Sequence, residues 1–314
     1  MNKTLVLLAM FFAQLLQGCV VNVGHNSKAS TVSVEQSQTG EYWSHRFNVQ
    51  RNIAYGQLPR QTLDIYQQGQ WQGPPKYFVP NTTTKPTLIY IHGGAWHGGV
   101  KESALWSLMP YIQKGWQVVN VEYRVGGNTA PQAADDVLLA MKWLAQHADE
   151  YAIDRNNIVI SGDSAGGHLA LLAGLVSTEQ KNSAYLGDKL TIKAIVNWFG
   201  IADIGLLNDY LDDNNQWNYP SRWAGNNDML ELIIADYSPL SYVNGQSPAV
   251  ISIHGDDDKV VPIEQSEVLH HKLSQAGVKN QLVRIKGGRH LGFSEPQFQH
   301  IYQQVFTFLN QRLK

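Results

Sequence analysis

The sequence predicts an α/β fold with a mainly parallel sheet and helices on both of its faces. Short apolar runs rich in β-branched residues alternate with longer segments whose apolar residues recur at three- and four-residue steps. Strands that alternate with helices in this way are typical of βαβ units, in which the strands lie parallel. No internal repeat or proline-rich linker divides the region, so one domain over residues 41–314 is expected.

Seven runs have the length and composition of strands. The run 62–66 alternates with period two, as in a half-buried strand, whereas the run 87–91 is almost continuously apolar, as in a strand buried on both faces. The predicted strands cover residues 62–66, 87–91, 117–121, 157–161, 193–198, 249–253 and 281–285. Helical spacing is found over residues 133–144, 169–176, 266–276 and 301–309.

The segment 203–237 breaks this alternation. It is too long for an ordinary connection, and it carries Trp217, Tyr219 and Trp223. An insertion at this place lies above the carboxyl ends of the strands, where α/β sheets bind ligands. We expect a small lid or pocket wall. The alternative is a packed surface excursion without a role.

The amino terminus has the layout of a secretory signal. Lys3 gives a positive start, residues 5–16 are apolar except for Gln14, and Gly18 precedes the only cysteine of the chain, Cys19. Such a run is too short for a stable membrane-spanning helix, so residues 1–18 are expected to be a signal peptide. Residues 19–40 are polar and are expected to form a flexible tether.

A small residue directly before Cys19 resembles the lipobox of bacterial lipoproteins. In that family the signal is cut before the cysteine, which is then lipidated. The resemblance implies an exported protein anchored through Cys19 to a bacterial membrane, on its periplasmic or cell-surface side. Plain secretion, or an internal cysteine in a buried strand, is the alternative.

Composition excludes several classes of protein. Of the 314 residues 43% are hydrophobic and 16% are charged, which is not the composition of a disordered tail or a coiled coil. A net charge of −2 gives no basic excess for nucleic-acid binding. One cysteine can form neither an intrachain disulfide nor a cysteine cluster for zinc. No metal, cofactor or protein partner is expected.

The strongest chemical signal is the hexapeptide 162–167, Gly-Asp-Ser-Ala-Gly-Gly, which follows a predicted strand and precedes a predicted helix. A serine on a sharp strand-to-helix turn points outward, and small neighbours remove side chains that would clash. The helix N-terminus behind it favours negative charge. Ser164 is therefore the candidate nucleophile.

A serine hydroxyl needs a base, and the base needs a carboxylate to orient it. Among the histidines after Ser164, His290 follows the last predicted strand, so its loop can reach over the serine turn. The loop after the predicted strand 249–253 offers three adjacent candidates for this carboxylate, Asp256, Asp257 and Asp258. Chemistry alone leaves this choice open. A calcium loop is the rival interpretation, but the alternating aspartate pattern that it needs is absent.

The run 92–96, His-Gly-Gly-Ala-Trp, follows the strand 87–91. Its small residues let a substrate approach backbone N–H groups, which can stabilise the oxyanion of an acyl-transfer intermediate. The alternative is a glycine-rich turn without a ligand.

These motifs together resemble the α/β-hydrolase fold, and more narrowly the hormone-sensitive-lipase-like bacterial carboxylesterases, over residues 52–313. The resemblance implies an eight-stranded sheet and places the acid of the family pattern H-G-x-x-D-x-x-V-P on Asp258. It places the oxyanion donors on Gly94, Ala95 and Ala165. Ala95 stands where many relatives have a third glycine; its methyl group narrows the rim of the hole but leaves the N–H.

The expected function is hydrolysis of carboxylic esters with small or medium acyl groups by a Ser-His-Asp triad. The expected substrate is a small-molecule ester, with acetylated glycans and aryl esters as a weaker hypothesis based on the aromatic residues of the lid segment. An amidase, formamidase or peptidase with the same triad is one alternative. A non-catalytic binding lipoprotein that kept the fold is another.

Overall fold

The computed structural model describes residues 19–20, 30–34, 47–71, 78–80, 85–177 and 190–313. Its strands are β1 (Cys19–Val20), β2 (Ser30–Val34), β3 (Phe47–Ala54), β4 (Thr62–Trp71), β5 (Phe78–Pro80), β6 (Thr87–Ile91), β7 (Gln117–Val121), β8 (Ile158–Asp163), β9 (Ile192–Trp198), β10 (Ala249–Gly255) and β11 (Asn280–Ile285). Its helices are α1 (Leu105–Gln113), α2 (Gln132–His147), α3 (Ala165–Val176), α4 (Ile204–Asp213), α5 (Tyr219–Ala224), α6 (Asn227–Tyr237), α7 (Glu264–Gln275) and α8 (Glu295–Asn310).

The described strands form one sheet in the order β1-β2-β3-β4-β7-β6-β8-β9-β10-β11, with β5 on β4. The six strands from β7 to β11 in this order are parallel, and β3 and β4 join them antiparallel. The eight strands from β3 onward, without the short β5, are the predicted eight-stranded, mostly parallel sheet. The predicted α/β fold is confirmed.

Each face of the sheet has its own hydrophobic core. Ile89 and Ile91 of β6 pack with α2, α3 and α7, whereas Leu88 and Tyr90 pack on the other face with α1 and α8. The alternation follows from the period of two along a strand. All five residues of β6 are buried, as expected of a central strand.

Strand β3 was not among the seven predicted strands. Its sequence, Phe-Asn-Val-Gln-Arg-Asn-Ile-Ala, does not alternate regularly, and its pairing with β4 shifts register between Gln50 and Ile53. A bulge of this kind adds residues to one strand and interrupts the period-two pattern. A search for period-two alternation of apolar and polar residues therefore does not detect this strand.

Of the two amino-terminal segments of the predicted domain plan, the structure describes only part of the second. Residues 1–18, the predicted signal peptide, lie outside the described residues. Within the predicted tether 19–40, β1 and β2 pair antiparallel and β2 pairs with β3. In the part of the chain that the structure describes, no helix has both the length and the apolar character needed to cross a membrane.

Candidate active site

Ser164 stands between β8 and α3, on the expected strand–turn–helix. Its backbone has φ 54° and ψ −122°, a conformation that is costly for a residue with a side chain. A Cβ atom on Gly162 would overlap the backbone of Gly166, and one on Gly166 would overlap the carbonyl groups of Ile91 and His92. The absence of these side chains allows the tight turn that holds Ser164 at the carboxyl end of β8.

Ser164, His290 and Asp258 form one chain of hydrogen bonds. Nε2 of His290 lies 3.1 Å from Oγ of Ser164, and Nδ1 of His290 lies 2.7 Å from Oδ2 of Asp258. Because a carboxylate only accepts, Nδ1 carries the hydrogen and Nε2 is free to accept the serine proton. The structure thus brings together three predicted residues from three different loops.

Of the three adjacent aspartates, Asp258 alone contacts the imidazole. Asp256 accepts a hydrogen bond from a backbone N–H of the loop after β11 at 2.6 Å, and Asp257 pairs with Lys259 at the surface. The carboxylate of Asp258 is fully buried. The geometry therefore selects the aspartate that the family resemblance indicated.

The buried carboxylate of Asp258 is well supplied with donors. Its Oδ1 accepts from the backbone N–H groups of Val260 and Val261 at 2.9 and 3.0 Å. Burial acts to raise the pKa of Asp258, but hydrogen bonds from His254 and His290 and the charge of His290 outweigh it and lower that pKa. The group is held in its ionised form.

His254, at the end of β10, is the first residue of the pattern H-G-x-x-D-x-x-V-P, but the sequence gives it no role of its own. It is buried, with Nε2 at 2.8 Å from the carbonyl oxygen of Val261 and 3.4 Å from Oδ2 of Asp258. Its Nδ1 lies 2.8 Å from Oγ of Ser266. Since both neighbours of Nε2 are acceptors, that nitrogen carries the hydrogen. His254 and His290 thus both contact Oδ2 of Asp258.

Residues 92–101 form the loop after β6, which we call the oxyanion loop. Gly94, Ala95 and Trp96 have φ values of 129°, 54° and 61°, three successive residues in the left-handed half of conformational space. The Gly94 carbonyl accepts from the N–H groups of His97 and Gly98, which closes the turn. The N–H of Ala165 opens α3, where helix geometry gives it no partner within the helix.

Asp163 precedes the serine and faces the oxyanion loop. Its Oδ1 accepts from the Tyr90 hydroxyl at 2.9 Å and from the Gly93 N–H at 3.1 Å. Burial raises the pKa of Asp163, although these hydrogen bonds and the nearby His92 oppose the shift. In the sequence this residue stood out only as part of the serine motif, with no role of its own.

A cavity of about 180 Å³ is lined by Asp163 and lies between α1, α8 and the loop that carries His290. Five of its eleven lining residues are aromatic, among them Phe199, whose ring centroid is 4.6 Å from that of His290. Phe293 also lines it, three residues after the histidine. The cavity therefore contacts Asp163, which precedes the serine, and residues next to His290 in the chain, whereas Ser164 and His290 are not among its lining residues.

The predicted lid segment forms α4, α5 and α6, each begun by an asparagine or aspartate whose side chain caps the helix. Its side chains contact the oxyanion loop and the loop that carries Asp258. Trp223 stacks on Trp96 of the oxyanion loop, and the Tyr219 hydroxyl donates to the carbonyl of Val260 beside Asp258. The segment is thus packed against the site.

No group of three or more potential metal ligands is present among the described residues. The model of the BD-FAE family matches residues 77–273. The chain belongs to the BD-FAE family. The match includes the oxyanion loop, Ser164 and Asp258 and ends before His290, so the histidine of this BD-FAE chain is identified by geometry rather than by the matched span.

Relatives of this BD-FAE protein are esterases. It is 30% identical over 244 residues, 73% of its length, to "Esterase LipC" of Mycobacterium tuberculosis, of which it covers 56%. The chain spans about half the length of the curated relatives it matches. A solved "truncated form of carbohydrate esterase from gut microbiota" is 25% identical with a TM-score of 0.67, over 84% of this chain and 95% of that one.

Esterase B of Lactobacillus rhamnosus also superimposes, with a TM-score of 0.67 at 19% identity, over 84% of this chain and 85% of that chain. At that identity the likeness concerns the fold alone. Together with the strand order, it confirms that this BD-FAE chain has the predicted α/β-hydrolase fold.

Proposed function

We propose that this protein is a serine hydrolase that cleaves carboxylic esters through an acyl-enzyme. The observation that carries the proposal is the unbroken chain from Ser164 through His290 to the buried Asp258, at 3.1 and 2.7 Å. This chain of hydrogen bonds lies beside the oxyanion loop, whose backbone can present N–H groups to an oxyanion. The esterase relatives support the same reaction class.

In this mechanism Oγ of Ser164 attacks the ester carbonyl while Nε2 of His290 takes the hydroxyl proton. The negative oxygen of the tetrahedral intermediate accepts hydrogen bonds from the N–H groups of Gly94, Ala95 and Ala165. His290 then gives the proton to the leaving alcohol, and Asp258 stabilises the imidazolium in between. Water, activated by His290, releases the acid by the reverse sequence.

The test is hydrolysis of p-nitrophenyl acetate by the purified protein beside Ser164→Ala. The variant should lose activity by about 10⁴-fold or more, as nucleophile removal does in triad enzymes. Ser274→Ala, on the exposed side of α7, serves as the matched control and should retain full activity. An equally active Ser164→Ala protein would refute the proposal.

The amide and peptide alternatives use the same triad, so a parallel panel of aryl esters, formyl-aromatic amides and aminoacyl amides decides between them. Faster turnover of either amide than of every ester would replace the esterase assignment. Absence of labelling by a fluorophosphonate probe on the folded protein would favour the non-catalytic binding protein.

The cavity beside Asp163 supports a preference for small or medium acyl groups. Its volume of about 180 Å³ is below the 300–1,000 Å³ or so of sites for drug-sized ligands, and a cavity of about 150 Å³ can hold a benzene ring. We propose that it receives the acyl group, because its lining includes Asp163, the residue before Ser164, and Phe199, whose ring packs against His290.

The size limit is tested by Ser107→Phe, which places a ring in the cavity. The ratio of kcat/KM for p-nitrophenyl butyrate to that for the acetate should fall about 10-fold or more, since one methylene in a pocket is worth roughly 10- to 200-fold. The acetate activity of the same variant is the internal control. An unchanged ratio would place the acyl group elsewhere.

A finer proposal is that the alcohol side of the substrate is a sugar, as the similarity to the solved carbohydrate esterase suggests. Trp217 of the lid segment is 52% exposed, with the Arg222 guanidinium 5.9 Å from its ring and His97 of the oxyanion loop 5.2 Å away. An exposed aromatic face beside polar groups is suited to stack on a sugar ring.

Trp217→Ala should lower kcat/KM on acetylated xylo-oligosaccharides about 10-fold, the size of one such contact. It should leave p-nitrophenyl acetate turnover unchanged. Equal effects on the two substrates would refute the proposal of a sugar substrate but would leave the proposed ester hydrolysis unaffected. Wild-type activity on the oligosaccharides that is no higher than on simple acyl esters would remove it as well.

For the cellular location, we propose an exported protein anchored to a bacterial membrane through a lipid on Cys19. The proposal is supported by the signal layout before Cys19 and by the separation of 145 positions in the sequence between Cys19 and Ser164. Cys19→Ser should release the protein from membranes with its esterase activity intact. Membrane association that persists in the variant would refute the anchor.

A further inference from the structure

Glu122 is the first residue after β7, and its side chain is buried although it carries a carboxyl group. Its Oε1 lies 3.1 Å from Nε2 of His92 and pairs with the Arg60 guanidinium. Its Oε2 accepts from the backbone N–H of Lys101 at 2.9 Å. None of these contacts involves the catalytic triad, and the proposed mechanism leaves them unexplained.

Two of these three partners of the carboxylate lie at opposite ends of one loop. His92 is the first residue of the oxyanion loop and Lys101 is the last, so one carboxylate fastens both ends of the loop. Between these ends lie Gly94 and Ala95, the candidate oxyanion donors. Glu122 therefore contacts both ends of the segment that carries those N–H groups.

The loop has a physical need for such a restraint. Gly94, Ala95 and Trp96 all have positive φ values, a conformation that persists only when the surrounding structure enforces it. The geometry of an oxyanion hole is also demanding, because donors must lie about 2.7–3.1 Å from the developing negative oxygen. A displacement of about 1 Å can cost about 100-fold in rate.

Arg60 and Tyr123 add a second set of contacts around the same carboxylate. Arg60 donates from Nε to the Tyr123 carbonyl at 2.8 Å and from Nη2 to the Gly99 carbonyl at 2.6 Å, inside the loop. The Tyr123 hydroxyl donates to the His92 carbonyl at 2.8 Å, and the two rings stack at 4.3 Å. The loop is thus held through both its backbone and its first side chain.

The charge on Glu122 is well compensated. Burial acts to raise the pKa of Glu122, but hydrogen bonds from His92 and the Lys101 N–H, with the charges of His92 and Arg60, lower it overall. The carboxylate is therefore ionised under ordinary conditions and can accept from all its donors at once. A neutral amide in its place would turn an N–H₂ group toward one of those donors.

We propose that Glu122 is a positioning residue that clamps the oxyanion loop and sets the donors Gly94 and Ala95 for the transition state. The inference rests on the proposed serine-hydrolase function and names how its oxyanion site is built. Glu122 does not contact the substrate. Its effect falls on the transition state, in which the oxyanion exists, and not on the uncharged ester of the ground state.

The test compares Glu122→Gln with Glu102→Gln in the full chain. In Glu122→Gln, kcat on p-nitrophenyl acetate should fall about 10- to 100-fold with KM nearly unchanged, the signature of an interaction made only in the transition state. The affinity for a phenylboronic acid, whose adduct with serine carries a tetrahedral oxyanion, should fall by the same factor. Glu102 is exposed and pairs with the Lys101 ammonium, so its variant should match the wild type.

Three outcomes would overturn the clamp. One is a folded Glu122→Gln protein with wild-type kcat. Another is a raised KM with unchanged kcat and boronate affinity, which indicates a substrate-binding role. If Glu122→Gln does not fold, Arg60→Lys keeps the positive charge but loses the forked contacts with Tyr123 and Gly99. It should lower kcat and boronate affinity together, and unchanged values would reject the proposal.

Failure of the clamp is separable from failure of the proposed function. Reaction of the wild type with a fluorophosphonate, blocked in Ser164→Ala, reports on the function alone. If the wild type is labelled and Glu122→Gln is labelled at the same rate, only the clamp is wrong. If the wild type is not labelled at all, the serine-hydrolase function itself is wrong.

Discussion

Trp223 of α5 and Trp96 of the oxyanion loop stack face to face, with ring centroids 4.6 Å apart and planes 12° apart. Both side chains are fully buried. His168 of α3 completes this cluster: its Nδ1 accepts from Nε1 of Trp96 at 3.2 Å, and burial lowers its pKa to about 4. The lid segment and the oxyanion loop therefore share one apolar core.

We expect Trp223→Ala to lower the free energy of unfolding by about 3–5 kcal/mol, because truncating a buried tryptophan leaves a cavity. It should also lower esterase activity, since Trp96 then loses its stacking partner. Urea unfolding and p-nitrophenyl acetate turnover measure the two effects. Trp217→Ala, which alters an exposed ring of the same segment, is the control and should change stability by under about 0.5 kcal/mol. Equal losses in the two variants would contradict the shared core.

Asp258→Asn should lower kcat by about 10⁴-fold while the protein stays folded. The amide oxygen must still accept from the N–H groups of Val260 and Val261, so the amide nitrogen faces His290 and favours the wrong tautomer. Asp257→Asn, one residue away and pointing to the surface, is the matched control. Similar losses in the two variants would show that Asp258 does not orient the base.

The acid stability of the protein should depend on Asp258. Its folded pKa is depressed, so it stabilises the fold above its unfolded value of about 3.9 and loses this contribution as the pH falls from about 5 toward the folded pKa. Over that range the stability of the wild type should decline more steeply than that of Asp258→Asn, by up to about 1.4 kcal/mol per pH unit. Urea unfolding between pH 6 and pH 3 checks this, and parallel curves would contradict it.

The substitution Asp163→Asn should change the pH dependence of stability in the opposite sense to Asp258→Asn. Burial raises the folded pKa of Asp163, so its favourable neutral form is fully present below the unfolded value of about 3.9 and is lost as the pH rises through the folded pKa. Asparagine keeps the acceptor for Tyr90 and Gly93 without the buried charge. The variant should therefore have the higher melting temperature at pH 7 and converge with the wild type in acid. A lower melting temperature at pH 7 would contradict this.

Local patterns were sufficient for most of the fold and for the serine and histidine of the candidate triad, whereas the choice of Asp258 among three adjacent aspartates needed the family resemblance. Buried parallel strands are nearly continuous apolar runs, and the serine turn needs glycines at fixed offsets, so both leave marks in short windows. Helix α1 was missed because it is apolar on most sides and contains Pro110, which no helical stripe predicts. In the lid segment, the capping residues Asp203, Asn218 and Asn226 are signals from which three helices were predictable.

The clamp was beyond local reasoning. Glu122 is 30 residues from His92 and 62 from Arg60 along the chain. No periodicity links such partners, because the sheet order and not the sequence brings the ends of β6 and β7 together. The same holds for the contact of Trp223 with Trp96. Long-range pairs of charges and rings have no signature in a single sequence until the topology is known.

The carboxyl groups of Asp163 and Asp258 flank the serine with opposite acidities, one made weaker by burial and the other made stronger by its donors. The donors around Asp258 hold a negative charge where the proposed mechanism makes His290 positive. Burial instead works against a second full negative charge on Asp163, beside the loop that would bind the oxyanion. A second carboxylate charge there would oppose the oxyanion of the proposed reaction, so the unequal acidities of the two carboxyls suit acyl transfer.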